Sequence, residues 1–439
     1  MGKRVASIRK VVSGRENMHR IISFKNGLKA LLIPYKTTAT VSVLVLVKVG
    51  SKYEKKEISG ISHFLEHMLF KGTKKRPSPI EVVETLEKVG GVFNAFTGEE
   101  YTGYFAKVAS EHLELAIDWV SDIYLNSLIP PKEVEKERKV IIEEINMYND
   151  NPAADVQRLW KKVLYGNQPA GWDIAGTKTT VRRISQRDLL SYFKKNYIAS
   201  NTLVSLAGNF QEAKVRKILN KYFKNIRKGT PLRKPAVKES QSRPAMIVKS
   251  KETEQTHLCL GFRAYNIFHR KRYAVSLLSE ILGGMMSSRM FVEIREKRGL
   301  AYYVHSAYEA NPDTGYLVTT AGVDNQKAGE AIEVILEEYR KIREQGVSDE
   351  ELEKAKQHLK GRLALSLETS DALASFYGTQ YILTGKIKET QEIFQKIDKI
   401  KKSDILKVAK DLFIPSKLNL ALIGPHSDKK IFQKLLNKF

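Results

Sequence analysis

The residues best suited to chemistry lie in one short segment, where His63 and His67 are four positions apart and Glu66 directly precedes His67. On a helix, side chains at positions i and i+4 project from one face, so both imidazoles can reach a single Zn²⁺ ion. Glu66 borders the same face, where a carboxylate can accept a proton from water. Apolar neighbours surround the three residues, so the segment predicts a buried metal-binding helix.

The pattern is the inverted form of the His-Glu-x-x-His motif, and two imidazoles leave such a site one protein ligand short. Because the chain has one cysteine, Cys259, a thiolate cluster and an intrachain disulfide are excluded. The missing ligand is therefore expected to be an acid, and the predicted helix Glu133–Asn149 offers Glu137, Glu143 and Glu144. Glu137 and Glu144 share a helical face, so one can bind the metal while the other holds a ligand imidazole. The spacing alone leaves Glu143 and Glu144 both open as the ligand.

The elements that must position these residues are strands and helices in mixed order. Two β-rich runs around Asn26-Gly27 predict a hairpin, and Val41–Val49 predicts a buried strand ahead of the metal-binding helix. Phe93–Thr97 and Thr102–Val108 predict a further strand pair. The expected fold class is therefore α+β.

The second half of the chain repeats the order of elements in the first. The triplet Thr-Gly-Tyr begins at Thr102 and again at Thr314, 212 residues later, and each copy follows a strand and a helix. We therefore expect two homologous α+β domains that arose by internal duplication. The positions 212 residues after His63, Glu66 and His67 hold Val275, Leu278 and Ser279, so the second half lacks their chemistry. The expected organisation is a basic N-terminal arm, a zinc-binding domain, a linker and a domain without the zinc motif, over residues 1–18, 19–226, 227–245 and 246–439.

Composition narrows the function classes. The 439 residues are 42% apolar and 28% charged, an ordinary globular mixture that excludes global disorder. No apolar run approaches the roughly 20 residues of a membrane-spanning helix, so none is expected. The net charge of +25 comes without a nucleic-acid-binding motif, so nucleic acid is not an expected partner. The basic residues 1–18 fit a disordered arm or a mitochondrial presequence, so the expected location is the cytoplasm, with the mitochondrial matrix as the alternative.

With these motifs the chain resembles the M16 metallopeptidases, a family that includes pitrilysin, insulin-degrading enzyme and the mitochondrial processing peptidases. The resemblance covers nearly the whole chain and rests first on the His-x-x-Glu-His motif and the segment Glu137–Glu144, which ends 77 residues after His67. It implies that Glu144 is the third metal ligand, and that Glu137 is the companion that holds a ligand imidazole.

Three further segments support the resemblance: Gly90–Thr97, Leu282–Arg289 and Arg295–Tyr302. The first resembles the edge strand with which the family pairs extended substrate, the second its glycine-bearing loop, and the third an Arg–Tyr pair in its catalytic cleft. The implied substrate-binding residues are therefore Asn94, Ala95, Gly283 and Gly284, and the implied cleft residues are Arg295 and Tyr302.

The resemblance implies a zinc endopeptidase that hydrolyses peptides or unfolded polypeptide segments in an enclosed chamber, with one Zn²⁺ per chain and Glu66 as general base. It also implies a half-clamshell built from the two domains, and chains that work as homodimers or as heterodimers with a homologous subunit. In such a dimer, Arg295 and Tyr302 of one subunit complete the site of the other. Two alternatives stay open: a processing peptidase that cuts presequences at defined sites, and a non-catalytic scaffold subunit.

Overall fold

The computed structural model of the chain describes residues 19–439, so the predicted basic arm, residues 1–18, lies outside the described residues. The chain forms two compact units, and neither is one continuous stretch of sequence. Among the described residues, the first unit comprises 19–145, Asp173–Pro235 and Leu363–Glu392, and the second comprises Asn146–Trp172, Ala236–Arg362 and Ile393–Phe439. The predicted linker is divided between the units at Pro235.

Each unit is built on one sheet. The strands are β1 (Arg20–Ser23), β2 (Lys29–Pro34), β3 (Thr40–Val47), β4 (Val92–Thr97), β5 (Thr102–Ala109), β6 (Thr202–Gly208), β7 (Ala245–Ser250), β8 (Gln255–Ala264), β9 (Ala301–Ala310), β10 (Gly315–Asp324) and β11 (Leu418–Gly424). The first sheet has the order β1-β2-β6-β3-β5-β4, and the second has the order β7-β11-β8-β10-β9. The predicted hairpin around Asn26-Gly27 is confirmed, because β1 pairs antiparallel with β2.

The two sheets share one topology, which confirms the predicted duplication. From β2 to β4 and from β7 to β9, the strands follow the same spatial order, and each row begins with a parallel pair, β2 with β6 and β7 with β11. The remaining pairs of both rows are antiparallel. The chain therefore contains two α+β units of common design, and β4 and β9 occupy equivalent edges.

Helices cover both faces of each sheet. They are α1 (Ile61–Met68), α2 (Pro79–Glu87), α3 (Leu113–Asn126), α4 (Pro131–Asp150), α5 (Pro152–Tyr165), α6 (Lys178–Arg183), α7 (Gln186–Asn196), α8 (Glu212–Phe223), α9 (Arg272–Ser279), α10 (Ala328–Gln345), α11 (Asp349–Leu365), α12 (Ser370–Thr384), α13 (Thr390–Asp398), α14 (Lys402–Leu412) and α15 (Lys430–Asn437). Two π-helical turns, Glu280–Gly284 and Phe291–Glu296, lie between α9 and β9. None of the helices in residues 19–439 combines the length and apolarity that a bilayer crossing requires.

One face of each sheet is covered by a helix from the other half of the sequence. In the first unit, Leu373 and Tyr377 of α12 pack against Leu44 and Leu46 of β3. In the second unit, Trp160 and its apolar neighbours on α5 pack against β8 and β11. This exchange is the physical reason why the units are discontinuous, because burying an apolar helix on a sheet does not require the two to be neighbours in sequence.

Candidate metal centre

Helix α1 carries two of the candidate metal ligands, and it is preceded by Gly60, a position where any other residue would be strained. Gly60 has a φ of +97°, and a Cβ there would lie 2.5 Å from the carbonyl oxygen of Ala175. The following eight residues bury Phe64, Leu65 and Met68 in the core of the first unit. Their burial fixes the rotation of α1 about its axis, and this rotation sets the direction in which the adjoining side, with His63 and His67, points.

The N-terminus of α1 is capped by a buried side chain from outside the helix. The carboxylate of Glu54 accepts hydrogen bonds from the backbone N–H groups of Gly60 (2.7 Å) and Ser62 (2.8 Å). The first N–H groups of a helix lack intrahelical partners and carry partial positive charge, so a carboxylate is well suited to this place. Burial nevertheless raises the pKa of Glu54 to about 7, because the four hydrogen bonds that favour the charged form only partly compensate for desolvation.

The raised pKa of Glu54 predicts a pH dependence of stability. Because the folded protein binds this proton more tightly than the unfolded chain, the carboxyl group stabilises the fold below pH 4.5, and this contribution is lost as the pH rises through about 7. The free energy of unfolding should therefore fall over this range by an amount on the order of 3 kcal/mol. We expect Glu54→Gln to flatten this slope, measured by urea unfolding of the metal-free protein between pH 4.5 and 8. Glu57→Gln, which alters an exposed carboxyl three residues away, is the matched control, and an unchanged slope in Glu54→Gln would contradict the prediction.

The first unit brings three potential ligands to one point. Oε2 of Glu144 on α4 lies 3.5 Å from Nε2 of His63 and 3.6 Å from Nε2 of His67. The two imidazole rings are 4.7 Å apart between centroids, and the ligand atoms of all three residues lie within 4.8 Å of one another. No other group of three histidine, cysteine or acidic residues in the described part of the chain has such a geometry.

The donor set fits a zinc ion. Four tetrahedral ligands about 2.1 Å from Zn²⁺ lie roughly 3.4 Å from one another, close to the separations of Glu144 from the two histidines. His63 is 9% exposed, and its Nδ1 is buried without a hydrogen-bond partner in residues 19–439, while its Nε2 faces the cluster. A buried imidazole with one nitrogen directed at two other potential ligands suits metal binding better than a role in hydrogen bonding.

The second imidazole is held by a chain of charged contacts. Nδ1 of His67 lies 3.1 Å from Oε2 of Glu137, and Oε1 of Glu137 lies 2.6 Å from Nζ of Lys71. Burial opposes the charged form of Glu137, but His67 and Lys71 lower its pKa. Glu137 thus fixes the ring orientation of His67 and leaves Nε2 directed at the cluster, as an outer carboxylate does in many zinc sites.

In the absence of a metal, the contacts within the cluster shift the pKa values of His67 and Glu144 in opposite directions. Burial acts to lower the pKa of His67, but its contacts with Glu137 and Glu144 and the charge of Glu66 raise it to about 9. The contacts with His63 and His67 hold the pKa of Glu144 well below its usual range. A histidine that binds a metal must be neutral, so a divalent cation that binds here at neutral pH would have to displace the proton from His67.

The orientation of α4 shows which of Glu143 and Glu144, both possible ligands by spacing alone, lies near the two histidines. Glu144 and Glu137 both lie on the side of α4 facing α1, together with the buried Ile141. Glu143 is exposed on another side of the helix. The structure therefore brings Glu144, and not Glu143, to the two histidines.

Glu66 lies beside this cluster and contacts the edge strand. Its Oε2 accepts a hydrogen bond of 2.5 Å from Oγ1 of Thr97, the last residue of β4. Asn94 and Ala95 lie on the same strand, opposite Phe105 and Tyr104 of β5. In the sheet that residues 19–439 form, β4 is an edge strand with no partner strand on its outer side, which is the place where an extended chain can pair.

The four remaining predicted site residues lie in the second unit and gather around β9. Arg295 places its guanidinium 5.0 Å from the ring centroid of Phe291 and 5.6 Å from that of Tyr302. Tyr302 is 74% exposed on the edge strand β9. A Cβ at Gly283 would lie 2.4 Å from the backbone nitrogen of Ser306, and one at Gly284 would meet the carboxylate of Glu280 at 2.3 Å, so both glycines permit close packing.

Sequence reasoning missed three residues of the site: Glu54, Lys71 and Thr97. Lys71 could have been found, since it follows His67 by one helical turn. Thr97 could have been found from strand alternation, because it shares the side of β4 that carries Phe93 and Ala95. No sequence signal gives the loop conformation that turns Glu54 toward Gly60.

Known protein families and relatives match this chain over most of its length. The profile described as "Insulinase (Peptidase family M16)" matches residues 30–178, and the profile "Peptidase M16 inactive domain" matches residues 183–359. "Uncharacterized zinc protease YmxG" of Bacillus subtilis is 36% identical over 404 residues, which are 91% of this chain and 97% of that protein. The chain belongs to peptidase family M16. The first unit carries the three candidate zinc ligands, whereas α9 of the second unit contains no histidine, cysteine or acidic residue.

Solved structures support the same fold for this M16 protein. A protease from Helicobacter pylori matches with a TM-score of 0.88 and 25% identity, over 93% of this chain and 99% of that one. A chain of complex III2 from Candida albicans matches with a TM-score of 0.82 and 18% identity, over 95% of this chain and 99% of that one. The second likeness concerns the fold alone.

Proposed function

We propose that this M16 protein is a zinc-dependent endopeptidase that hydrolyses peptides or unfolded polypeptide segments, with one Zn²⁺ per chain. The observation that carries the proposal is the convergence of His63, His67 and Glu144 within 4.8 Å, beside the carboxylate of Glu66. A set of two imidazoles and one carboxylate leaves a coordination position open for water, which distinguishes hydrolytic zinc sites from structural ones.

The residues of the site then divide the chemistry between them. His63, His67 and Glu144 would hold the Zn²⁺ ion, which would supply Lewis acidity to a water molecule and to the scissile carbonyl. Glu66 takes the proton of the attacking water on its carboxylate and returns it to the leaving amine. Glu137 keeps His67 in the orientation needed for binding. Arg295 and Tyr302 would donate hydrogen bonds to the oxyanion or to the substrate backbone.

The edge strand β4 is the proposed substrate-binding element. An extended peptide adds to a sheet edge mainly through backbone hydrogen bonds, and this makes few demands on the substrate's side chains. Asn94 and Ala95 would make these bonds close to Glu66, since all three are linked through β4 and Thr97. Gly283 and Gly284 are further proposed substrate-binding residues, since the lack of a side chain allows close approach of a peptide backbone. This mode of binding favours unfolded substrates, because folded proteins pair or protect most of their extended segments.

We further propose that the active species is a dimer, either of this chain or with a homologous subunit, in which the partner's copies of Arg295 and Tyr302 complete the site. Enclosure of substrate in a chamber belongs to the same proposal. Light scattering on the fraction that carries turnover gives the mass of the active species. The cytoplasmic location stays a prediction.

The proposed function predicts metal-dependent cleavage. A mixed peptide pool incubated with the protein should yield new fragments by mass spectrometry, and treatment with a chelator should abolish them. Re-addition of stoichiometric Zn²⁺ should restore the same fragments at the original rate, because the site is largely preformed by α1 and α4. Cleavage that persists after verified metal removal would refute the metallopeptidase proposal. Absence of cleavage in every condition, by the zinc-loaded dimer as well, would favour a scaffold role.

A further inference from the structure

Thr97 makes a contact with Glu66 that general-base chemistry alone does not require. Its hydroxyl donates to Oε2 of Glu66 at 2.5 Å, in a site where both residues are only partly exposed. Hydrogen bonds to a charged acceptor are about twice as strong as those between neutral groups. The bond occupies one carboxylate oxygen and leaves Oε1 to accept a proton from water.

The direction of the Thr97 side chain is fixed by the sheet. Side chains alternate along a strand, and Phe93 and Ala95 of β4 pack on the core that also contains α1. Thr97 shares their face, whereas Phe96 packs on the opposite face against the core that contains α12. The backbone of Thr97 is held in register opposite Thr102 of β5. The hydroxyl is therefore presented to Glu66 from a rigid position.

We propose that Thr97 is a positioning residue for Glu66, which fixes the carboxylate of the general base relative to the strand that binds substrate. The inference rests on the proposed function, in which Glu66 is the base and β4 pairs with the peptide. A free glutamate side chain samples several rotamers, and a base must lie within hydrogen-bond reach of the proton it removes. The strand β4 would therefore set both positions: it would hold Glu66 through the hydrogen bond from Thr97, and it would hold the peptide through backbone pairing.

The test compares Thr97→Val, which removes the hydroxyl and keeps the branched shape, with Thr97→Ser, which keeps the hydroxyl. For a peptide cleaved by the wild type, Thr97→Val should lower kcat roughly 10- to 100-fold, the cost of misplacing a reacting group by about 1 Å. KM should change less than about twofold, since the peptide's own contacts remain, and Thr97→Ser should recover most of kcat. Thr97→Ala repeats the test should valine fail to fold.

Two measurements separate positioning from general damage. The dissociation constant for Zn²⁺, from competition with a chromophoric chelator, should be the same in Thr97→Val and the wild type. Thr102→Val is the matched control, because it removes the hydroxyl directly opposite, which donates to the carbonyl of Val49 and not to Glu66. Its kcat should stay at the wild-type value even if its melting temperature falls.

The outcomes also distinguish this inference from the function on which it rests. If Glu66→Gln is inactive while Thr97→Val keeps the wild-type kcat, the positioning role is overturned and the peptidase assignment survives. Equal losses in Thr97→Ser and Thr97→Val overturn it as well, because the serine hydroxyl can still donate. Wild-type turnover by Glu66→Gln overturns the assignment of Glu66 as the base, and the positioning role of Thr97 with it. Metal dependence of cleavage tests the peptidase assignment separately.

Discussion

Glu66→Gln is expected to lower kcat for peptide cleavage by at least about 100-fold, and by as much as about 10,000-fold, the range attributed to a general base. The amide has nearly the shape of the carboxylate and can still accept the hydrogen bond from Thr97, but it cannot take a proton from water at neutral pH. Because Glu66 is not one of the three residues grouped as ligands, the variant should bind Zn²⁺ like the wild type. The measurement is turnover of a peptide pool, read by mass spectrometry, by the two proteins at equal zinc content.

The same experiment contains its own controls. Matched thermal unfolding curves show that both proteins are folded, and metal analysis shows that each holds one Zn²⁺ per chain. Equal cleavage by wild type and Glu66→Gln would mean that the base is another residue or that a contaminating protease is present. Chelation separates these two explanations if the contaminant does not depend on a metal.

Local sequence patterns predicted much of this fold because they report on local physics. The Asn26-Gly27 turn allows a tight hairpin, and β1 and β2 pair around it. The four-residue spacing of His63 and His67 has one geometric consequence on a helix, and the structure places both rings on the same side of α1. The duplication was visible because the same order of elements produces the same sheet order twice.

Contacts between elements distant in sequence were harder to predict. Helix α12 has apolar side chains spread around its axis, so its pattern does not indicate which face it buries or on which sheet. The structure places it in the first unit, where Leu373, Ala374 and Tyr377 complete an apolar cluster. The predicted domains were continuous stretches of sequence, so they could not include a helix from the second half in the first unit. Such a helix can pack there because the hydrophobic effect depends on the surface covered and not on position in the sequence.

In the metal centre, too, local spacing was predictable and the contacts between elements were not. Helical spacing set Glu137 and Glu144 on one face, but the choice between Glu143 and Glu144 depends on how α4 rotates against α1. That rotation is fixed by burial of Ile141 and Ile145. Glu54 lies in an irregular segment, and no periodic pattern indicates where the side chain of such a residue points. Spacing within a regular element therefore predicted which residues share a face. The rotation of one helix against another and the contributions of loops were not predictable from it.

Glu144→Gln is expected to weaken Zn²⁺ binding by more than about 100-fold, because loss of an outer-shell partner alone costs roughly 10- to 100-fold and Glu144 is grouped directly with both histidines. The change removes the negative charge that faces the two imidazoles, at 3.5 and 3.6 Å, and leaves a weaker amide oxygen. Competition with a chromophoric chelator measures the dissociation constant, and turnover of the peptide pool should be lost in parallel.

Two neighbouring substitutions on α4 make the prediction specific. Glu143→Gln removes the same charge from the adjacent, exposed position and should leave zinc affinity and turnover near the wild-type values. Glu137→Gln keeps all three ligands but weakens the contact that orients His67, so its loss of affinity should fall between those of the other two variants. The expected order of loss is Glu144, then Glu137, then Glu143. If Glu143→Gln were the variant that lost zinc, α4 would present a different face to α1, and the arrangement that supports the proposed function would be wrong.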